Sequence, residues 1–408
     1  MLNSVSILET FSVFFYNILK IDQLFKIRMI NMPELIDYIN WRGDIPCSIS
    51  PYNNADYYII SKIGCPDFDN IVPANASSIS LQDTVSAYFF DGQPLGLLTS
   101  KYILDAFKIL PYTERFQDIR LSGFSRIAND ENIEQFSALS LMLPDGTVFV
   151  SFRGTDDTLT AWREDMQMAV KEIVPAQNDA LKYLKWAAES YSGPLVIGGH
   201  SKGGNMAVFA ASMAPEEIQK RITAIYSFDG PGFRTSFYEQ SGYKAICEKV
   251  HEVVPQTSLV GMLLNKERPL EIISCYKNGI ASHDGYQWET SPVGFVAADS
   301  LSAPSLAVHD ASNEIMEEMT AEEIRQFIDE TFNILQEKGA STLTDLSEQH
   351  LLEKFDITRH LNSSKSVKGF SIKMLECIIK CLASNTIPQK PQLPFEHLLK
   401  HTRFDSES

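Results

Sequence analysis

Positive charge is scarce in this chain. Its 408 residues hold 35 Lys and Arg against 52 Asp and Glu, a formal net charge of −17. So acidic a chain repels nucleic acid and anionic membrane surfaces, which removes basic-groove binding from the functions to weigh. Cysteine is thin as well. Cys47, Cys65, Cys247, Cys275, Cys377 and Cys381 lie scattered, without the density of a disulfide framework or the spacing of a zinc site. Cys377 and Cys381 share a helix face at i, i+4 in "LECIIKCLA", and their apolar neighbours make them core thiols. This usage points to a reducing, cytoplasmic compartment. An apolar run able to span a bilayer is missing too. The N-terminal stretch is broken by Glu9, has no Lys or Arg before it and no small-residue cleavage site after it. Its apolar residues Ile7, Phe11, Phe14, Phe15 and Ile18 fit an amphipathic helix, so no stable membrane insertion is expected. Residues 1–31 are treated as an uncertain leader, with Met29 and Met32 as alternative starts. No internal repeat or low-complexity segment stands out.

What is present is ordinary globular material. With 44% apolar and 21% charged residues, the chain can bury a sizeable core in one large domain with appendages. From Pro33 to about Gln117 the pattern is helical, as in "PELIDYINW" and "ADYYIISKI". Strand signals begin near residue 136. There "FSALSLMLPDGTVFVSFRGT" carries two apolar runs around Pro144-Asp145-Gly146, a hairpin signature. Helix and strand patterns then alternate: "DALKYLKWAAESY", "PLVIGG", "NMAVFAASMAPEEIQKR", "ITAIYSFDG", "GYKAICEKV", "HEVVP" and "LEIISCY". Such alternation predicts a mainly parallel sheet covered on both faces by helices. Beyond residue 310 the signals are helical and polar. Thr320 and Glu323 form a capping box ahead of a stripe at Ile324, Phe327, Ile328 and Leu335, and Gly339 stops the helix. The expected division is a main domain over 32–310, including its helical N-terminal part, and a helical C-terminal segment with a polar tail over 311–408.

Within this pattern, Gly199-His200-Ser201-Lys202-Gly203 is a G-x-S-x-G pentapeptide. An apolar strand precedes it and small residues that can open a helix follow, the setting that holds a serine on a sharp strand-to-helix turn. A phosphate-binding loop is disfavoured, because the G-x-x-x-x-G-K-[ST] order is absent. A plain helix-capping serine is the simpler alternative. A nucleophilic serine needs a base, and the base an orienting group. His283, in the polar loop "GIASHDGYQWE" after the last apolar run, is the first candidate, with His309 as fallback; His251 reads as a strand-edge residue. His350, His360, His397 and His401 read as surface residues. Asp229 is the only aspartate between Ser201 and His283 and ends a predicted strand, though an Asp capping a turn is the bland alternative. Donors for a developing oxyanion are expected from the Lys202 N–H and from "VSFRGTDD", where Thr155 offers its N–H and its hydroxyl. Arg153 is expected to pair with Asp165 and brace that loop. The stretch "TLTAWREDMQMAV" reads as an ordinary packed helix more than as a lid over the site.

Together, "WRGD", "DYYIISKI", "SFRGTDDTLTAWREDM", "VIGGHSKGGNMAVFAA", "YSFDGPGF", "VVPQTSLVGMLL" and "SHDGYQW" resemble the class 3 (fungal-type) lipases. They are more similar still to the bacterial Mbeg1-like proteins, a domain of unknown function in the α/β-hydrolase superfamily. The resemblance covers about residues 32–290. It implies an α/β-hydrolase fold with Ser201 as nucleophile, His283 as base, Thr155 and Lys202 at the oxyanion, and a carboxylic ester, lipid or smaller, as substrate. No metal or cofactor is implied. One departure stands out: the lipase acid falls after a "VVP"-like strand, where this chain has Ser258. Either Asp229 supplies the carboxylate from a neighbouring strand, or Ser258 orients His283 in a weaker enzyme, or catalysis has decayed. A silent hydrolase fold used for binding and an acyltransferase using the same residues are the competing functions, and the oligomeric state stays open.

Overall fold

The computed structural model describes residues 33–91, 101–156, 158–337, 339, 341 and 342. The leader, the Cys377–Cys381 pair, the polar tail and the four C-terminal histidines lie outside the described residues, as do the side chains of Phe327 and Leu335. Helices α1 (Leu35–Arg42) and α2 (Asn54–Ile63) come first, followed by the short strand β1 (Ile79–Ser80), then α3 (Leu81–Asp91) and α4 (Lys101–Phe107). Three strands succeed them: β2 (Arg120–Asn129), β3 (Glu134–Met142) and β4 (Val148–Phe152). Helices α5 (Leu159–Gln167) and α6 (Pro175–Ser190) lead to β5 (Leu195–His200), then α7 (Lys202–Met213), α8 (Glu216–Arg221) and β6 (Ile222–Phe228). After α9 (Thr235–Tyr238) and α10 (Ser241–Ile246) come β7 (Val250–Pro255), β8 (Leu270–Ile273) and the small ribbon β9 (Thr290–Ser291) with β10 (Gly294–Phe295). Helices α11 (Ala303–Glu318) and α12 (Ala321–Glu337) close the described chain.

Strands β1 to β8 form one sheet in sequence order. From β4 to β8 each strand is parallel to the next, and β1, β2 and β3 extend this parallel part with antiparallel pairings. Side-chain alternation divides the core into two layers. Val148, Val150 and Phe152 of β4, with Leu195 and Ile197 of β5, face Ala180, Leu184 and Ala187 of α6 and Met206 and Ala210 of α7. Phe149, Val196, Tyr226 and Phe228 turn the other way, toward Tyr58, Ile59 and Ile63 of α2. The N-terminal helices are therefore one of the two layers that cover the sheet.

Two elements differ from the sequence pattern. Strand pairing starts earlier than residue 136, with the short β1 and the long β2. Gly123 (φ 67) shifts the register between Ser122 and Ser125 and so breaks the alternation that marks a strand. A Cβ at Gly123 would lie 2.2 Å from the Trp186 ring, which leaves room for glycine alone. The stretch 205–221, read as one helix, is two. Ala214, just before Pro215, is extended at ψ 148, the conformation a following proline enforces. Farther on, Thr320 and Glu323 cap α12 reciprocally, and Ile324, Ile328 and Phe332 pack on Leu159 of α5 with Trp162 and Met166 at the margin. Helix α5 is thus a packed helix. Helix α11 runs unbroken through residues 310 and 311, so the division proposed there falls inside an element.

At the start of β3, buried Glu134 shares a hydrogen bond with Asp179 of α6, and that bond together with burial pushes its carboxyl up to about 7. A folded-state value above the unfolded one means the stabilisation is complete in acid and is lost as pH rises from about 4.5 through 7. Glu134→Gln keeps a hydrogen-bonding group and cannot ionise. The variant is therefore expected to gain stability on the wild type between pH 5 and pH 8. Urea denaturation at the two pH values checks this; parallel losses in both proteins would rule it out.

Candidate active site

The turn from β5 into α7 is tight and strained. Ser201 sits between them at φ 60, ψ −132, a backbone region that a side chain enters only under constraint. Its N–H donates to the Phe228 carbonyl at 2.9 Å, which ties the turn to the end of β6. A Cβ at Gly203 would come within 2.1 Å of the Phe152 oxygen, so the first turn of α7 can press on β4 only with glycine there. The Lys202 N–H stands at the first helical position, where no intrahelical acceptor exists. A serine at a strand–helix elbow of a mostly parallel sheet is the α/β-hydrolase arrangement.

Asp229 follows β6 and also has a positive φ, 47. Its N–H donates to Val253 at 2.8 Å, and its fully buried carboxylate is shared out completely. Oδ2 lies 2.6 Å from Nδ1 of His283, and Oδ1 accepts from the Ser258 hydroxyl at 2.5 Å and the Gly261 N–H at 3.2 Å. Ser258 is therefore a hydrogen-bond partner of the aspartate. The loop carrying His283 is pinned from several sides. The Ser282 hydroxyl donates to the Thr257 and Gly279 carbonyls, Trp288 Nε1 donates to Ser282 O at 2.8 Å, and the Gly285 N–H donates to the Tyr58 hydroxyl at 2.9 Å.

Sequence reasoning passed over His200, the variable residue before the serine. Its ring lies tilted against that of His283 with centroids 4.3 Å apart, and its Nε2 is 2.6 Å from the His283 carbonyl. Burial, and then Lys62 and His283, hold its imidazole well below the usual histidine range. Neutral His200 therefore donates from Nε2 and locks the backbone of His283. The fallback His309 lies on α11, near the Met262 carbonyl and Asn313, while His251 bonds Glu271 at 2.6 Å.

The loop after β4 lies against the elbow. A Cβ on Gly154 would be 2.6 Å from the His200 oxygen and 3.2 Å from Ser201 Cβ. Two expectations for this loop are corrected. The Thr155 hydroxyl donates to Asp165 Oδ2, so it is engaged within the protein and is not a second free donor beside the N–H. Arg153 and Asp165 are not an ion pair among the described residues. Asp165 Oδ1 lies instead 3.5 Å from Lys202 Nζ, because the lysine runs beneath the loop and supplies the countercharge from inside. Lys202 is 1% exposed, and its ammonium donates to the Gln135 carbonyl at 2.9 Å and to Glu164 Oε2 at 3.0 Å. Glu164, fully buried, also accepts from the Gln135 and Ala176 N–H groups at 2.9 Å. Burial pushes the Asp165 carboxyl up to about 6, against the pull of Lys202 and the Thr155 hydroxyl. The signal for this cluster was a lysine beside the serine and an acid pair in "WRED". Nothing in the sequence joined them.

No group of three or more His, Cys, Asp or Glu residues among those described is placed to hold a metal ion, and no described helix is long and apolar enough to cross a membrane. A family model described as Mbeg1-like matches residues 110–333. Among solved structures the chain is similar to an M37 lipase at 13% identity and TM-score 0.30, over 41% of this chain and 62% of that one. The extracellular lipase LipA from Serratia marcescens is similar at 16% identity and TM-score 0.26, over 38% and 29%. A lipase from Rhizopus microsporus var. chinensis is similar at 18% identity and TM-score 0.26, over 47% and 74%. The chain thus spans less than two thirds of the first two of these proteins. Nothing matches among curated proteins.

Proposed function

This chain belongs to the Mbeg1-like family, and we propose that it is a serine hydrolase that cleaves carboxylic esters through an acyl-enzyme on Ser201. The observation that carries the reading is the 2.6 Å contact between His283 Nδ1 and the buried Asp229 carboxylate, in a structure that also holds Ser201 at positive φ on the turn after β5. With Nδ1 engaged, Nε2 of His283 is the nitrogen left to take a proton.

In this reading the Ser201 oxygen attacks the ester carbonyl as its proton passes to His283. Negative charge forms on the carbonyl oxygen between the N–H groups of Thr155 and Lys202. The tetrahedral adduct collapses and the alcohol leaves with the proton from His283. Water then attacks the acyl-serine by the same route, releasing the carboxylic acid and restoring Ser201. The chemistry draws on these residues alone.

A fluorophosphonate probe tests this directly, because it reports an activated serine whatever the natural substrate is. Wild-type protein is expected to label, and Ser201→Ala and His283→Ala to label negligibly. Labelling that survives Ser201→Ala would move the nucleophile elsewhere, and a folded wild type that never labels would favour a binding scaffold. A panel of short- and long-chain esters then sets the acyl preference.

A further inference from the structure

We propose that the Lys202 side chain is a positioning residue that ties the oxyanion loop to the nucleophile elbow, so that one residue serves the site twice. Its backbone N–H is one of the two proposed oxyanion donors, and its ammonium is bonded to the helix that holds the other donor's loop. The inference rests on the hydrolase reading for its kinetic consequence and on geometry alone for the tether.

A buried ammonium is costly unless its partners are fixed around it. Here three partners come from two elements: the Gln135 carbonyl on β3 and, on α5, Glu164 and, at 3.5 Å, Asp165. Asp165 in turn accepts the Thr155 hydroxyl, so the path from Lys202 to the second proposed oxyanion donor passes through one carboxylate. Glu164 extends the same cluster to the first turn of α6 through the Ala176 N–H. An apolar side chain could fill this space without the desolvation cost, and would leave Thr155 attached to an acid that itself has no counterion. The cluster holds one cation against two carboxylates; removing the cation doubles the uncompensated negative charge behind a site where an oxyanion must form.

Lys202→Met tests the tether, with Asp165→Asn as a milder partner that keeps the shape of the acid and an acceptor for Thr155. Two readouts are taken on the full chain. Hydrogen exchange of the peptide spanning residues 153–158 reports the loop whether or not the protein turns over an ester. Kinetics on a short activated ester report the consequence, with Ser201→Ala as the blank. In Lys202→Met, exchange at Gly154 and Thr155 is expected to quicken at least tenfold, and kcat to fall about 100-fold with KM nearly unchanged. In Asp165→Asn, both effects are expected in the same direction and about tenfold smaller in kcat. If Lys202→Met does not fold, Asp165→Asn decides alone. Loop exchange within twofold of wild type in the folded variants would overturn the proposal. So would quickened exchange with kcat unchanged. A wild type with no ester turnover would instead strike the hydrolase reading, and the exchange data would still judge the tether.

Discussion

Asp229→Asn is expected to lower kcat about 10⁴-fold while leaving KM close to wild type. The hydrogen bonds around the carboxylate give the reason. Oδ1 accepts from two donors, the Ser258 hydroxyl and the Gly261 N–H, while Oδ2 meets the imidazole. An asparagine in this socket has only one acceptor oxygen, and the two fixed donors claim it. Its NH2 group is then turned to His283 Nδ1, which must become an acceptor. The neutral imidazole is forced to carry its proton on Nε2, where it can no longer take one from Ser201. Binding of the substrate is untouched, so the loss falls on kcat. Steady-state kinetics on a short ester check this, and the fluorophosphonate inactivation rate should drop in step. A variant within tenfold of wild type would remove Asp229 from the role of orienting group.

The Ser258 position illustrates how far the sequence could be read. The elbow was legible because its requirements are local: an apolar strand, a serine flanked by glycines, and a small-residue helix. The hairpin of β3 and β4 was legible for the same reason, since Pro144-Asp145-Gly146 marks the turn within the chain. Ser258 and His283 lie 29 and 54 residues beyond Asp229 along the chain, and whether serine replaces or supports the aspartate depends on the spacing of β6 and β7 in the sheet. No local pattern carries that information. The Arg153–Asp165 expectation failed on similar grounds. It paired an acid with a cation from the same stretch of chain, whereas the fold brings Lys202 up from the adjacent strand–helix unit. β2 was hidden by Gly123, which interrupts the alternation by which strands are recognised. His200 was overlooked because its partner is a backbone carbonyl, and sequence says little about which carbonyls a ring will meet.

Removing the buried cation that anchors the N-terminal layer should have the largest effect on stability. Arg115→Met is expected to destabilise the fold by about 3–5 kcal/mol, against the 5–15 kcal/mol typical of a folded domain. Arg115 and Asp56 are both fully buried, and their contact is bidentate, at 2.7 Å and 2.5 Å. The other guanidinium hydrogens go to the carbonyls of Ile45, Ser50 and Pro51, so all five donors are used. Methionine would leave three carbonyls without a partner and Asp56 as a buried charge relieved only by the Tyr38 hydroxyl and the Asn53 N–H. That last cost separates an ion-pair effect from a loss of packing. Arg115→Met combined with Asp56→Asn removes the stranded charge, and is expected to recover at least about 1 kcal/mol relative to Arg115→Met alone. Urea denaturation of the three proteins measures it; a double variant no more stable than the single one would assign the loss to packing. The effect should reach the site as well. Asp56 opens the helix that carries Tyr58, and the Tyr58 hydroxyl holds the backbone two residues beyond His283. Loosening α2 therefore releases the loop that sets the histidine against Asp229, so residual activity in Arg115→Met should fall more steeply with temperature than the folded fraction does.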